Sequence, residues 1–275
     1  MGQSRRHPNY KTGFATRDLS DAPNLWKGNV GLWAPSLGPT GLTLRDQSGF
    51  RNDGILTNMA SDDWVISGNQ RSPGYVLALN GSTNYVSVGN FGGGIGFTDI
   101  AILFWFKTSV GDNDFVISKD GAGNNVGDAS MKIVSDKLQF FDDWTNIDVT
   151  SSANVTDGNW HHGVFTLSST DGYRLFLDGK LVDEDATTGN TIWNNSTDLQ
   201  FGTVLGGSFS FGGQLGSTSI YNRALLPSEI QHLYDKPLDM LTPRSRVFLS
   251  AVAPAGFVRP KVYGSLAHDR QGLAG

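Results

Sequence analysis

The sequence predicts an all-β fold, a sandwich or barrel, with one short helix near its C-terminal end. Three observations carry that reading. Runs of β-branched and aromatic residues recur at short intervals, separated by Gly, Asn, Asp and Ser clusters. Glycine stands at 35 of 275 positions (35/275, about 13%), nearly twice the roughly 7% of average usage, and follows no triplet period that would indicate collagen. Only one stretch repeats its apolar residues at helical spacing.

The strands follow in order. Residues 75–79 and 85–88 flank the turn Asn80-Gly81-Ser82-Thr83-Asn84. Residues 100–106, Ile-Ala-Ile-Leu-Phe-Trp-Phe, read as a buried strand. Segments 115–118, 131–134 and 138–141 come next, then 160–167, 173–177, 180–183, 199–202 and 213–221. Asp178-Gly179 separates two of these runs by two residues, the spacing and composition of a type I′ hairpin. In the helix, Pro227 takes the first position and Glu229 the first turn, while Ile230, Leu233 and Tyr234 share a face. Leu226 is a poor N-cap, so packing must hold this helix, and Pro237 closes it.

Composition excludes several functions. With no cysteine there is no disulfide scaffold, thiolate zinc site, iron–sulfur cluster or cysteine nucleophile. The net charge of −5 gives no electrostatic reason to expect nucleic acid. The longest apolar stretch, 100–106, is about a third of the roughly 20 residues that span a bilayer, so no membrane partner is expected. Arg5, Arg6, His7, Lys11 and Arg17 precede no hydrophobic run, so export through a signal peptide is not expected either.

Four segments in register carry a family resemblance. Asp46-Gln47-Ser48-Gly49-Phe50-Arg51-Asn52-Asp53-Gly54 resembles the D-x-S-G-N-x-N-D-G opening of laminin G-like, concanavalin A-like lectin/glucanase domains. Leu77-Ala78-Leu79-Asn80-Gly81 through Tyr85-Val86 is similar to their F-D-G hairpin. Asp157-Gly158-Asn159-Trp160-His161-His162, followed by residues 173–180, resembles their D-G-x-W-H-H and Y-x-D-G-K pair. Ile220-Tyr221-Asn222-Arg223-Ala224-Leu225 with Glu229-Ile230 is similar to their closing segment. The resemblance implies a two-sheet antiparallel jelly-roll sandwich. The organisation expected is an N-terminal arm over 1–28, the jelly-roll domain over 29–236 and an extended tail over 237–275. That tail holds Pro237, Pro243, Pro254 and Pro260 and one strand-like run at 246–249.

Within this frame, Trp160 is expected in the core. His161 and His162 alternate to opposite faces, so they do not converge on one metal ion. Asn222-Arg223 is expected to tie the last strand to the helix. Retaining glucanases on this fold carry glutamates and an aspartate alternating on one strand. Here the two glutamates are Glu184, after a hairpin, and Glu229, in the helix, and neither position fits. G-x-S-x-G, H-E-x-x-H and P-loop patterns are absent, so no enzyme activity is expected.

Two binding sites remain open. The resemblance points to Asp46 and Asn52, with Asp53, as ligands of one structural calcium ion. The other reading is that they brace a turn through Asx hydrogen bonds. Against calcium, Asn80 replaces the aspartate of the family's hairpin, and Gly213-Gln214-Leu215-Gly216-Ser217 has no acid. For sugar binding, Trp144 beside Asp142 and Asp143, and Trp193 beside Asn194 and Asn195, pair an aromatic plane with polar groups. The alternative is that these tryptophans plug the sandwich ends or meet another subunit.

The segment from Tyr234 to Arg246 is similar to an ending of laminin G-like proteins in tailed bacteriophages. That resemblance implies a virion component, assembled in the host cytoplasm, that decorates a capsid or joins the tail. Its partners are then a major capsid or tail protein, reached through the terminal arms, with surface glycans and a homo-oligomer or lattice also expected. The rival expectation is an extracellular glycan-binding module of a cell-surface or secreted protein.

Overall fold

Residues 100–106 are apolar without alternation, so a strand made from them must be covered on both faces. That requirement sets the centre of the molecule. In a computed structural model describing residues 23–120, 128–142, 145–204 and 207–241, this segment is β7 (Ile100–Lys107), buried along seven of its eight positions. Ile100, Ile102, Phe104 and Phe106 enter the core between two sheets, and Ala101 and Leu103 enter a second core on the opposite face.

The other strands are β1 (Asn29–Trp33), β2 (Thr43–Leu44), β3 (Gly54–Thr57), β4 (Trp64–Ile66), β5 (Tyr75–Asn80), β6 (Tyr85–Gly89), β8 (Asp114–Lys119) and β9 (Ala129–Val134). They continue with β10 (Lys137–Asp142), β11 (Ile147–Asn154), β12 (Trp160–Ser168), β13 (Gly172–Leu177), β14 (Lys180–Asp185), β15 (Leu199–Phe201) and β16 (Gly212–Tyr221). The first sheet runs β14-β13-β12-β7-β16-β5-β4. β16 is long enough that β5 takes the first half of its free edge and β1 the second. The second sheet runs β11-β10-β9-β8-β15-β6-β3-β2. Neighbouring strands in both sheets are antiparallel, as the jelly roll requires. Phe140 of β10 and Phe165 of β12 stack at 3.5 Å between centroids and join the sheets through the inner core.

Each strand expected among the described residues forms, within a residue or two of its expected ends. Five strands carry no recognisable signal in the sequence. β2 and β4 are two and three residues long, too short for a period. β1 and β3 are interrupted or opened by glycine, and β11 (Ile-Asp-Val-Thr-Ser-Ser-Ala-Asn) is a polar edge strand. The Asp178-Gly179 turn has φ of 51° and 81°, the two left-handed residues that a type I′ hairpin needs.

The second core draws in residues from both ends of the described chain. Leu25, Trp26, Met240 and Leu241 pack there with Tyr221, Ile230 and Leu233, beneath α1 (Pro227–Asp235). The Trp26 indole N–H donates to the Met240 carbonyl at 2.7 Å. The ends of the supposed arm and tail therefore belong to the packed body, because apolar residues in both close the outward face of the first sheet. The remainder of arm and tail, including 246–249, lies outside the described residues.

α1 is capped without help from Leu226's side chain. Glu229 accepts the Leu226 backbone N–H at 2.9 Å and takes a bidentate pair from Arg223 at 2.7 Å each. Arg223 Nε also donates to the Lys27 carbonyl, so the expected tie from last strand to helix is made by this residue.

Candidate functional site

Opposite ends of the sandwich can be located from β8. Its last residue pairs with Ala129, where β9 begins, and Phe115 lies at its other end. Asp142 of one expected sugar site and Trp193, Asn194 and Asn195 of the other lie at the Ala129 end. Asp143 and Trp144 lie outside the described residues.

The chemistry at that end is closed on itself. Trp193 is 1% exposed and donates its indole N–H to the Ala129 carbonyl at 2.9 Å. Phe91 and Phe97 surround it at 6.3 and 6.4 Å between centroids. It presents no face to a sugar and instead plugs the sandwich, which corrects the stacking role expected of it. Asn195 accepts the Lys119 ammonium at 2.8 Å and donates to Asp128 at 2.7 Å and to the Lys119 carbonyl at 3.2 Å. Burial lowers the Lys119 pKa to about 8, against the attraction of Asp128 and Asp198. Asp142 is buried and accepts the Tyr173 hydroxyl at 2.8 Å and the Thr145 N–H at 3.3 Å. These groups hold loops rather than await a ligand.

The Asp46 loop is equally saturated. Asp46 Oδ1 accepts the N–H groups of Leu32 (3.1 Å) and Ser48 (2.8 Å). Its Oδ2 accepts the Ser48 hydroxyl (2.8 Å) and the Asn52 N–H (2.9 Å). Asp53 accepts the Asp46 N–H, and Asn52 donates its side chain to the Val30 carbonyl. Four donors already point at the carboxylate, so a cation there meets N–H and O–H hydrogens instead of lone pairs. Asp46, Asn52 and Asp53 do not fit a calcium centre; they brace the turn. Asn80 has the same job, since its Oδ1 accepts the N–H groups of Ser82, Thr83 and Asn84. No group of three or more His, Asp or Glu side chains placed to hold a metal occurs among the described residues.

His161 and His162 face opposite ways, as alternation demands. His161 bridges Asp178 at 2.9 Å and Asp157 at 3.1 Å. Burial alone lowers its pKa, but the hydrogen bonds and charges of the two aspartates outweigh it and raise the value above the ordinary one. His162 is fully buried against Trp105 and Tyr234, and desolvation holds it neutral with a pKa of about 3. Trp160 is a correction: it is only half-buried, because β12 turns it outward with His162 while His161 packs on Phe106.

The Phe115 end carries a feature the sequence reading missed. Phe209, on the connection between β15 and β16, has φ of 48° and is 58% exposed. A bulky side chain in the left-handed region is costly, by about 1–2 kcal/mol. Its carbonyl accepts the Phe115 N–H at 3.0 Å, which holds the strained backbone in place. The rings of Phe209 and Phe115 are 6.0 Å apart, and the Lys132 ammonium lies 5.5 Å from Phe115 and 4.4 Å from the half-buried Phe141. The result is an aromatic and cationic strip along the outward side of the second sheet. Ser208-Phe209-Ser210-Phe211 reads as an alternating strand with both phenylalanines on one face. The positive φ breaks that alternation, burying Phe211 and exposing Phe209.

The two glutamates are held in ion pairs, Glu184 with Arg174 at 3.1 Å and Glu229 with Arg223 at 2.7 Å. A profile of the Concanavalin A-like lectin/glucanases superfamily matches residues 80–231, more than half of the sequence. The chain belongs to this superfamily. No curated protein sequence matches it. Among solved structures, the superfamily fold is shared with the binding domain of Paraclostridial Mosquitocidal Protein 1, at 18% identity and TM-score 0.57, over 76% of this chain and 52% of that one. Domain 4 of AbnA, a GH43 extracellular arabinanase from Geobacillus stearothermophilus, matches at 13% identity and TM-score 0.57, over 75% and 98%. The binding domain of Botulinum Neurotoxin DC matches at 15% and 0.54, over 77% and 52%. The chain thus spans about half the length of the two toxin chains. No helix among the described residues is long and apolar enough to cross a membrane.

Proposed function

We propose that this chain is a non-catalytic carbohydrate-binding domain whose ligand stacks on Phe209. The observation that carries the reading is a bulky aromatic held exposed at a strained φ. Its backbone is held by the bond from the Phe115 N–H while 58% of the residue stays exposed, and such outliers gather at binding sites. Phe115, Lys132 and Phe141 extend the platform with a cation and a second half-exposed ring. Two structural neighbours support the ligand class: the arabinanase domain was solved in complex with arabinotriose, and the neurotoxin domain in complex with SialylT.

A glycan array followed by titration of the best hit tests this. Phe209→Ala is expected to weaken binding about tenfold, the equivalent of 1.4 kcal/mol, and Trp144→Ala to change it less than twofold. A flat array rejects the function. Loss in Trp144→Ala with Phe209→Ala unaffected rejects Phe209 as the contact and favours Trp144.

The setting we infer is a tailed-phage virion, as a capsid decoration or tail component held through its terminal arms. Support comes from the Tyr234–Arg246 segment of the sequence. Absence of the chain from purified particles of the phage that encodes it rejects this setting and favours a cell-surface or secreted module.

A further inference from the structure

Strand pairing sets three side chains in one row on the outward face of the first sheet. Lys107, at the end of β7, lies opposite Trp160 of β12 on one side and Gln214 of β16 on the other. Directly paired residues bring their Cβ atoms to about 4.5–5.5 Å. Alternation puts Lys107 on the same face as Ala101 and Leu103, away from the inner core. Lys107 and Gln214 line a cleft of about 370 Å³ together with Ser109, Gly158, Gly212 and Gly213. A side chain added at Gly158 meets nothing within 4 Å, so the backbone there is open to a ligand.

Three of these groups have unused bonding capacity. Among the described residues, the Lys107 ammonium, the Gln214 amide and the Ser109 hydroxyl have no hydrogen-bond or ionic partner. The acid beside the cleft, Asp157, is already committed: Asn159 donates to it from side chain and backbone, and it bonds His161. Asn80, also on the wall, is spent on its own hairpin.

We propose that this row is a second ligand site, for a saccharide that bears a carboxylate. Trp160, half-buried and paired opposite Lys107, borders the row with an aromatic ring against which a pyranose can pack. Gln214 and Ser109 supply donors and acceptors for hydroxyl groups. Lys107 supplies one positive charge, matched to one carboxylate; the site has neither the arginine fork nor the helix N-terminus that a phosphate uses. All three strand residues sit on rigid paired backbone, which positions them better than a loop does. The inference rests on the carbohydrate-binding reading but uses a different surface from Phe209.

Titrating the isotope-labelled full chain with trigalacturonate and with galactotriose, followed by NMR, tests it. Trigalacturonate is expected to shift the Lys107 amide, the Trp160 indole and the Gln214 side-chain amide. Lys107→Gln is expected to weaken trigalacturonate at least tenfold and galactotriose less than twofold. Equal weakening of both sugars by Lys107→Gln, or no trigalacturonate shift at Trp160 and Gln214, overturns the site. If galactotriose binds at Phe209 while the Lys107 row stays silent, this site alone is lost. If neither sugar moves any resonance and the glycan array is also flat, the carbohydrate-binding function is lost with it.

Discussion

Trp193 and Phe209 are the two aromatic residues with positive φ among the described residues, at 60° and 48°. They sit at opposite ends of the same sandwich, one bonded to Ala129 where β9 begins and the other to Phe115 near the start of β8. Their backbone strain is alike and its outcome is not. At Trp193 the strain is offset by full burial of the largest side chain and by a satisfied indole N–H. At Phe209 the ring stays largely in solvent, and the local compensation is one backbone bond from Phe115 and a tilted contact with its ring. The strain at Trp193 is explained by packing, whereas that at Phe209 is the observation on which the proposed site rests.

The largest expected effect is at Trp193. Trp193→Ala removes a fully buried ring and leaves the Ala129 carbonyl without its donor, a loss of about 3–5 kcal/mol. For a domain of this size that lowers Tm by roughly 6–20 °C. Phe209→Ala is expected to change stability by less than about 0.5 kcal/mol, as for other surface positions. Urea denaturation of the two variants checks the contrast. Equal losses would place Phe209 in a structural role and remove the main argument for a site there.

The sequence made the fold legible where periodicity was long. The 100–106 run announced a strand covered on both faces, and Asp178-Gly179 announced its hairpin. Short or polar strands such as β2 and β11 have no period to read and exist because neighbours supply their hydrogen bonds. The sites were less legible for a specific reason. Trp193 and Phe209 each lie in polar, glycine-rich or asparagine-rich sequence, and composition gives both the same appearance of exposure. Which one is buried depends on what lies across the sandwich. The calcium expectation failed for a related reason. Asp46, Asn52 and Asp53 are oxygen-rich in sequence, but Leu32, Ser48 and the loop's own backbone donors reach Asp46 first.

A glycine substitution sharpens the comparison by reversing the sign at one end. Glycine adopts positive φ without a Cβ penalty but loses more entropy on folding, so the two effects partly cancel. Phe209→Gly is expected to leave stability unchanged or raise it by up to about 1 kcal/mol while abolishing binding. Trp193→Gly is expected to destabilise at least as much as Trp193→Ala, because burial there far exceeds the strain released. Thermal melts of both glycine variants, with binding measured on the first, decide the matter. A Phe209→Gly protein that is less stable by more than 1 kcal/mol shows that the exposed ring was packed in solution.

The smallest expected difference between the ends is their response to alkali, and it has opposite signs. At the Phe209 end, His161 ties the 157–159 loop to the Asp178 hairpin, and its two aspartates raise its pKa. The unfolded chain releases that proton near the ordinary value of 6.5, so the stabilisation is complete below this pH and is lost as pH rises through the higher folded value. At the Trp193 end, Lys119 is lowered from 10.5 to about 8, so between those values the unfolded chain binds more protons and stability rises with pH. Each group changes the slope by at most about 1.4 kcal/mol per pH unit. Denaturation profiles from pH 5 to 11 are expected to lose their neutral-range decline in His161→Gln and their alkaline rise in Lys119→Met. A His161→Gln profile that declines as the parent does would show that the Asp157–His161–Asp178 bridge is not holding that end together.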